Sequence, residues 1–163
     1  MAGLRLYFLR HGKALSRAAW DEDDDLRPLT ADGVAEVRRI GACLARMELR
    51  PGVIVSSPLV RAWRTAELVA EELGLSTRLM ADERLGSGFD RRALAAIVAD
   101  HSGQEALMLV GHEPSFSAVI GELIGGGRVV CKKGGLARVD VDGDDLAGGR
   151  LVWLLTPAHL VGR

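Results

Sequence analysis

Cysteine is scarce in this chain of 163 residues: there are two, Cys43 and Cys131, and no Cys-x-x-Cys spacing that would mark a metal site. Cys43 falls within a predicted helix and reads as a small core hydrophobe. Neither sign of charge dominates. The formal net charge of −1 leaves no electrostatic case for nucleic acid, which would want a basic face or stripe. No run approaches the ~18 apolar residues of a membrane span. The chain opens almost at once on a strand-like segment, without a charged leader, apolar stretch and cleavage site, so a reducing cytoplasm is the expected setting. Internal repeats, linkers and low-complexity tracts are also missing. What remains, with 48% hydrophobic and 26% charged residues, is the composition of one soluble globular domain spanning residues 1–163.

Apolar runs alternate with helical periodicity along that domain. Leu4–Leu9 reads as a buried strand, followed by an aperiodic loop over 12–29 that contains the acidic run Asp21–Asp25. Thr30 reads as the N-cap of a helix reaching about Glu48. Val34, Val37, Ile40, Leu44 and Met47 form its apolar face. Val53–Ser56 is a second strand. Pro58 suits the first position of a helix that stops at Gly74. Thr77–Ala81 reads as a short strand, Arg91 to Asp100 as a helix, Ala106–Val110 as a strongly apolar strand, and Pro114 to Ile124 as a helix ended by glycines. Leu136–Val141 and Leu151–Thr156 flank a polar Asp142–Gly149 turn, an expected antiparallel pair. This alternation predicts a single-domain three-layer α/β/α sandwich with a mainly parallel sheet and an antiparallel element near the C-terminus.

Three strand-end segments carry the chemistry. Arg10-His11-Gly12 follows the first strand, and ligands of such sheets bind outside the carboxyl ends of the strands. Arg61 sits in the first turn of a helix, where the macrodipole disfavours a cation but backbone N–H groups and a guanidinium suit a bound oxyanion. A surface pairing with Glu67 or an acidic loop is the bland alternative for Arg61. Gly111-His112-Glu113-Pro114 repeats the first arrangement, a strand, a tight turn and a histidine before a helix. His101 and His159 read as solvated or locally bonded, and Arg64, on another side of its helix, as structural. Two histidines lack the third ligand of a catalytic zinc site, and two arginines beside them would repel a divalent cation. The same arginines suit a phosphoryl group. No metal or other cofactor is expected.

The set Arg10-His11-Gly12, Arg61 and His112 resembles the histidine phosphatase superfamily. Arg27-Pro28-Leu29-Thr30 with Asp32-Gly33, then Ser57-Pro58 leading to Arg61-Ala62 and Thr65, is similar to its small phosphohistidine phosphatase branch, the SixA type. The resemblance covers the chain from Leu4 to about Val141 and implies a phosphoglycerate mutase-like fold. It implies that His11 is the nucleophile, phosphorylated in turnover, with Arg10, Arg61, His112 and Gly12 binding the phosphoryl group. The implied activity is metal-independent hydrolysis of phosphohistidine in a protein, a phosphotransfer or phosphocarrier domain, releasing inorganic phosphate. A small-molecule phosphomonoesterase and a non-catalytic phosphate-binding module are the alternatives.

Those roles agree with elementary chemistry. His11 must attack as neutral imidazole, and nearby arginines lower its pKa. A backbone carbonyl near Gly12 accepting from Nδ1–H would leave Nε2 free. A general acid is harder to find: Glu83 lies in roughly the right region, with Glu113 and Asp21–Asp25 as further candidates. Departing imidazole needs an acid less than an alkoxide does, which favours a phosphoramidate substrate. The Asp21–Asp25 run is expected to be solvated or to border the pocket mouth, repelling small anionic phosphates. Lys132-Lys133-Gly134-Gly135 is either an exposed loop or a phosphate-facing rim.

Overall fold

Strands β1 (Leu4–Arg10), β2 (Val53–Ser56), β3 (Leu79–Ala81), β4 (Ala106–Gly111), β5 (Leu136–Asp142) and β6 (Ala147–Leu155) form one sheet in the order β3-β2-β4-β1-β5-β6. They belong to a computed structural model that describes residues 3–143 and 145–162. β1, β4, β2 and β3 pair in parallel, whereas β5 pairs antiparallel with both β1 and β6. Successive side chains of a strand leave opposite faces of the sheet. Leu6 and Phe8 accordingly enter one core with Leu107 and Leu109, and Tyr7 and Leu9 enter the other with Met108 and Val110. Helices α3 (Arg91–Asp100) and α4 (Ser115–Leu123) cover the first core. Helices α1 (Ala31–Arg46), α2 (Val60–Leu73) and α5 (Pro157–Val161) cover the second. The result is the expected three-layer sandwich with a mainly parallel sheet.

Edge-to-face packing of Phe8 on Phe116, centroids 5.3 Å apart, ties the centre of the sheet to α4. Both rings are fully buried, so truncating either to Ala is expected to cost about 3–5 kcal/mol. α1 starts as its sequence indicates: the Thr30 hydroxyl accepts from the Gly33 amide at 2.9 Å. α2 ends at Gly74, whose φ of 68° is left-handed.

Several boundaries differ from expectation. Pro58 is not the first helical residue; α2 begins at Val60, after an uncapped Leu59. The strand expected over Thr77–Ala81 is confined to Leu79–Ala81 because Ser76–Arg78 closes into a 3-10 turn. β6 starts at Ala147, so the C-terminal hairpin is longer and its turn tighter than Asp142–Gly149; Asp144 lies outside the described residues. The tail after Thr156 forms α5, where His159 Nδ1 accepts from the Thr156 amide in a capping box. No described helix is long and apolar enough to cross a membrane.

The site is set by adjacency. β1 and β4 are parallel neighbours, with Arg10 opposite Gly111. The chain after β1 returns on the far side of β4, and the chain after β4 returns on the far side of β1. Departing in opposite directions, the two connections open a crevice between the two strand ends.

Candidate active site

His11 and His112 leave β1 and β4 side by side, with ring centroids 5.3 Å apart and planes inclined by 52°. The His11 amide donates to the Gly111 carbonyl at 3.0 Å, tying one strand end to the other. The His11 ring lies 2.8 Å through Nδ1 from its neighbour's Gly12 carbonyl. A carbonyl only accepts, so Nδ1 carries the proton and Nε2 keeps its lone pair. His112 is anchored the other way, Nε2 lying 2.8 Å from Ser57 Oγ. Ser57 itself is fixed because its amide donates to the Val110 carbonyl at 2.9 Å.

Two guanidinium groups close on the histidines. Arg10 Nη1 donates to the Cys131 carbonyl at 2.9 Å, which aims the side chain from the end of β1. Arg61 is only 6% exposed and reaches Asp24 twice: Nη1 donates to its carbonyl at 2.8 Å, and Nη2 to its carboxylate at 3.2 Å. Asp24 also accepts from Arg27 Nε at 2.9 Å and has Arg17 within 3.7 Å. With three arginines around it, the Arg27 hydrogen bond foremost, its carboxyl is held below the usual range. Three buried nitrogens find no hydrogen-bond partner among the described residues: Arg10 Nε, Arg61 Nε and His112 Nδ1. All belong to side chains lining one cavity of about 590 Å³, with His11. Unpaired buried donors are costly, and an oxyanion in the cavity can satisfy them.

Burial governs the charge of both rings. It holds His11 at about 3, despite the opposing Gly12 hydrogen bond, with His112, Arg61 and Arg10 lowering it further. It holds His112 at about 4, with Arg61 and Arg10 adding to the effect. At neutral pH the cavity therefore presents two uncharged imidazoles between two permanent cations. The arrangement suits attack by a neutral ring nitrogen on a phosphorus whose oxygens face guanidinium N–H groups.

Arg10, His11, Arg61 and His112 thus meet in one cavity. Gly12 does not join them as an anion ligand: its amide donates to Thr65 Oγ1 at 3.1 Å, and Thr65 in turn donates to the Arg61 carbonyl at 2.8 Å. That chain of bonds locks the turn after β1 to α2. Gly12 and Gly33 also have packing reasons, since an added Cβ would collide with Val37 at the first and with the Lys13 carbonyl at the second. Glu83 is exposed on the short helical turn after β3 and does not line the cavity. Glu113 does line it, but its carboxylate accepts from both the amide and the hydroxyl of Ser117.

Of the acidic run, Asp24 is bound to the arginines and Asp23 caps the following turn, so the run is not a wall across the mouth. Lys13, Arg17, Arg27 and Lys133 line the cavity instead, and the rim is cationic. Lys133 is exposed and also lines the cavity, and Gly134 donates from its amide to the Arg10 and His11 carbonyls. Arg64 pairs with Glu67 at 3.3 Å, away from the cavity. Ser57, Thr65 and Arg27 stand in the sequence motifs, but only the fold gives them tasks. Among the described residues no group of three or more His, Cys, Asp or Glu is placed to hold a metal ion.

Comparison with known proteins bears on the family and the fold. Residues 6–86 match the model of the histidine phosphatase superfamily, branch 1. An uncharacterized protein of Picosynechococcus is 38% identical over 117 residues, 68% of this chain and 67% of that one. The phosphohistidine phosphatase SixA of Escherichia coli is 25% identical over 160 residues, covering 96% of each chain. A solved structure of the protein histidine phosphatase SixA complexed with tungstate superimposes with a TM-score of 0.86 at 24% identity, covering 96% of this chain and 99% of that one. Family model, relatives and fold agree, and the chain belongs to the histidine phosphatase superfamily, with SixA-type proteins among the relatives that match it from end to end.

Proposed function

We propose that this protein hydrolyses phosphohistidine in proteins through a phosphorylated His11. His11 Nε2, its lone pair free because Nδ1–H is bonded to Gly12, attacks phosphorus in line with the departing nitrogen. The P–N bond breaks, and its electron pair leaves with a substrate imidazole whose other nitrogen already carries a proton, so the leaving group departs neutral. Arg10, Arg61 and His112 Nδ1 stabilise the phosphoryl oxygens as charge spreads over them. Water then attacks phosphorus, the P–Nε2 bond breaks, its pair returns to His11, and inorganic phosphate departs with the water's proton lost to the medium.

The observation that carries the choice of substrate is the state of the carboxylates. Glu113, the acidic side chain lining the cavity, is held by Ser117, and Asp24 is held ionised by arginines. Both are engaged by protein partners, and a departing imidazole has less need of an acid than an alkoxide has. The SixA relatives, named for phosphohistidine phosphatase activity, and the tungstate held by one of them support the reading. Small phosphomonoesters are the second reading, because a cavity of about 590 Å³ with a cationic rim is large enough to take one whole.

A substrate panel decides between them. A phosphorylated phosphotransfer domain or histidine phosphocarrier is expected to give a higher kcat/KM than sugar or nucleotide phosphates, with and without EDTA. A higher kcat/KM on the small esters would transfer the assignment to them. Turnover lost to EDTA and restored by a divalent cation would contradict the metal-free route. No turnover across the panel and no labelled protein would favour a binding module.

A further inference from the structure

We propose that Ser57 is a positioning residue that fixes the tautomer of His112, holding it as a neutral ring whose Nδ1–H faces the cavity. Ser57 directly follows β2 and is fully buried, with Oγ 2.8 Å from His112 Nε2. Its oxygen also accepts from the Leu59 amide at 3.2 Å, as the chain turns toward α2. A hydroxyl has one proton to give. If that proton goes to His112 Nε2, every group is used: the oxygen accepts from Leu59, Nε2 accepts from Ser57, and Nδ1 carries a hydrogen.

The opposite tautomer fails on two counts. Nε2–H would point at Ser57 Oγ, and the serine proton would be left in a fully buried site with no acceptor among the described residues. Nδ1 would present a lone pair to the cavity, where a phosphoryl oxygen would meet it lone pair to lone pair. Nδ1 is one of the three unpaired buried nitrogens of the cavity, beside Arg10 Nε and Arg61 Nε. With Ser57 in control, all three are N–H donors on side chains that line the cavity. The charged groups acting on the His112 ring are Arg10 from β1, Arg61 from α2, and Asp24 and Arg27 from the loop between β1 and α1; burial and the three arginines oppose a second proton on the ring, and Asp24 favours one.

This inference concerns the state of one side chain and stands whether the substrate is a phosphoramidate or an ester. Side-chain ¹H–¹⁵N correlation spectra of the histidines, recorded from pH 8 to 5.5, test it without any substrate. Wild-type His112, assigned by comparison with a His112→Gln variant, is expected to be protonated at Nδ1 and unprotonated at Nε2 throughout. In Ser57→Ala the ring is expected to lose that single pattern, while His11 keeps Nδ1–H. The same variant is expected to bind inorganic phosphate about tenfold more weakly, the worth of one hydrogen bond of about 1.4 kcal/mol. Restoring the hydroxyl with Ser57→Thr is expected to restore the His112 spectrum. A wild-type His112 protonated at Nε2, or doubly protonated at pH 7, overturns the proposal even if the enzyme is active. So does a Ser57→Ala protein whose His112 spectrum and phosphate affinity match wild type.

Discussion

The carboxyl ends of β1 and β4 look alike in sequence and lie side by side, yet they present opposite ring nitrogens. Each ends in a glycine-flanked histidine, and each imidazole is buried and uncharged at neutral pH. His11 spends Nδ1 on the carbonyl of Gly12, whereas His112 spends Nε2 on Ser57, the last residue before Pro58. One ring therefore offers Nε2 to the cavity and the other Nδ1. A histidine's role is set by the atom that holds its far side, and that atom can be local or come from a distant part of the chain.

The two rings part most sharply in their expected roles, with His11 proposed as the nucleophile. His11→Ala is expected to lower turnover by at least about a thousandfold and to abolish acid-labile, base-stable labelling of the protein, checked by quenched incubation with ³²P-labelled substrate. A variant that still labels there would place the nucleophile elsewhere. Next come the groups around the rings. Arg61→Gln is expected to cost about a hundredfold in kcat/KM, since it removes a donor aimed at developing charge. Asp24→Asn, which keeps the shape but frees the arginines, is expected to cost less, about tenfold, and mostly in KM. Steady-state kinetics on the same substrate rank the two. An Asp24 effect equal to that of Arg61 would give the carboxylate a direct part in the chemistry.

The fold, and the four side chains that the structure brings into one cavity, are legible in the sequence. Leu4–Leu9 and Ala106–Val110 are short, apolar and bounded by polar turns, and histidine after each run marks the ligand-binding edge. The partners that aim those side chains were not legible, because they lie far off along the chain. Asp24 is 37 residues from Arg61, Ser57 is 55 from His112, and the Cys131 carbonyl is 121 from Arg10. No local periodicity connects such pairs. Gly12 reads as a phosphate ligand for a related reason, since nothing near it in sequence shows that the Thr65 hydroxyl takes its amide. Helix α5 is not legible because five residues cannot display a helical period, although Thr156-Pro157 with His159 is a start signal.

The shared burial of the two rings gives a pH signature. Unfolded histidines titrate near 6.5, but these rings resist protonation until about 3 and 4 in the folded protein. Below about pH 6.5 the unfolded chain takes up protons that the folded one cannot, so stability falls as pH drops from about 6.5 toward 4. Denaturant titrations at pH 7.5, 6 and 5 check this. A stability that rises over that interval would mean that at least one ring is charged in the fold. Smallest of all is the effect at Glu83: Glu83→Gln is expected to leave kcat/KM within about twofold, as for an ordinary exposed side chain.

The contrast between the two rings is tested most directly by the isomer of phosphohistidine formed on the protein. Mass spectrometry of the acid-avoided, trapped intermediate locates the residue, and ³¹P–¹⁵N coupling locates the nitrogen. Phosphate is expected on Nε2 of His11, with His112 unmodified. Phosphate on Nδ1 of His11, or on His112, would contradict it.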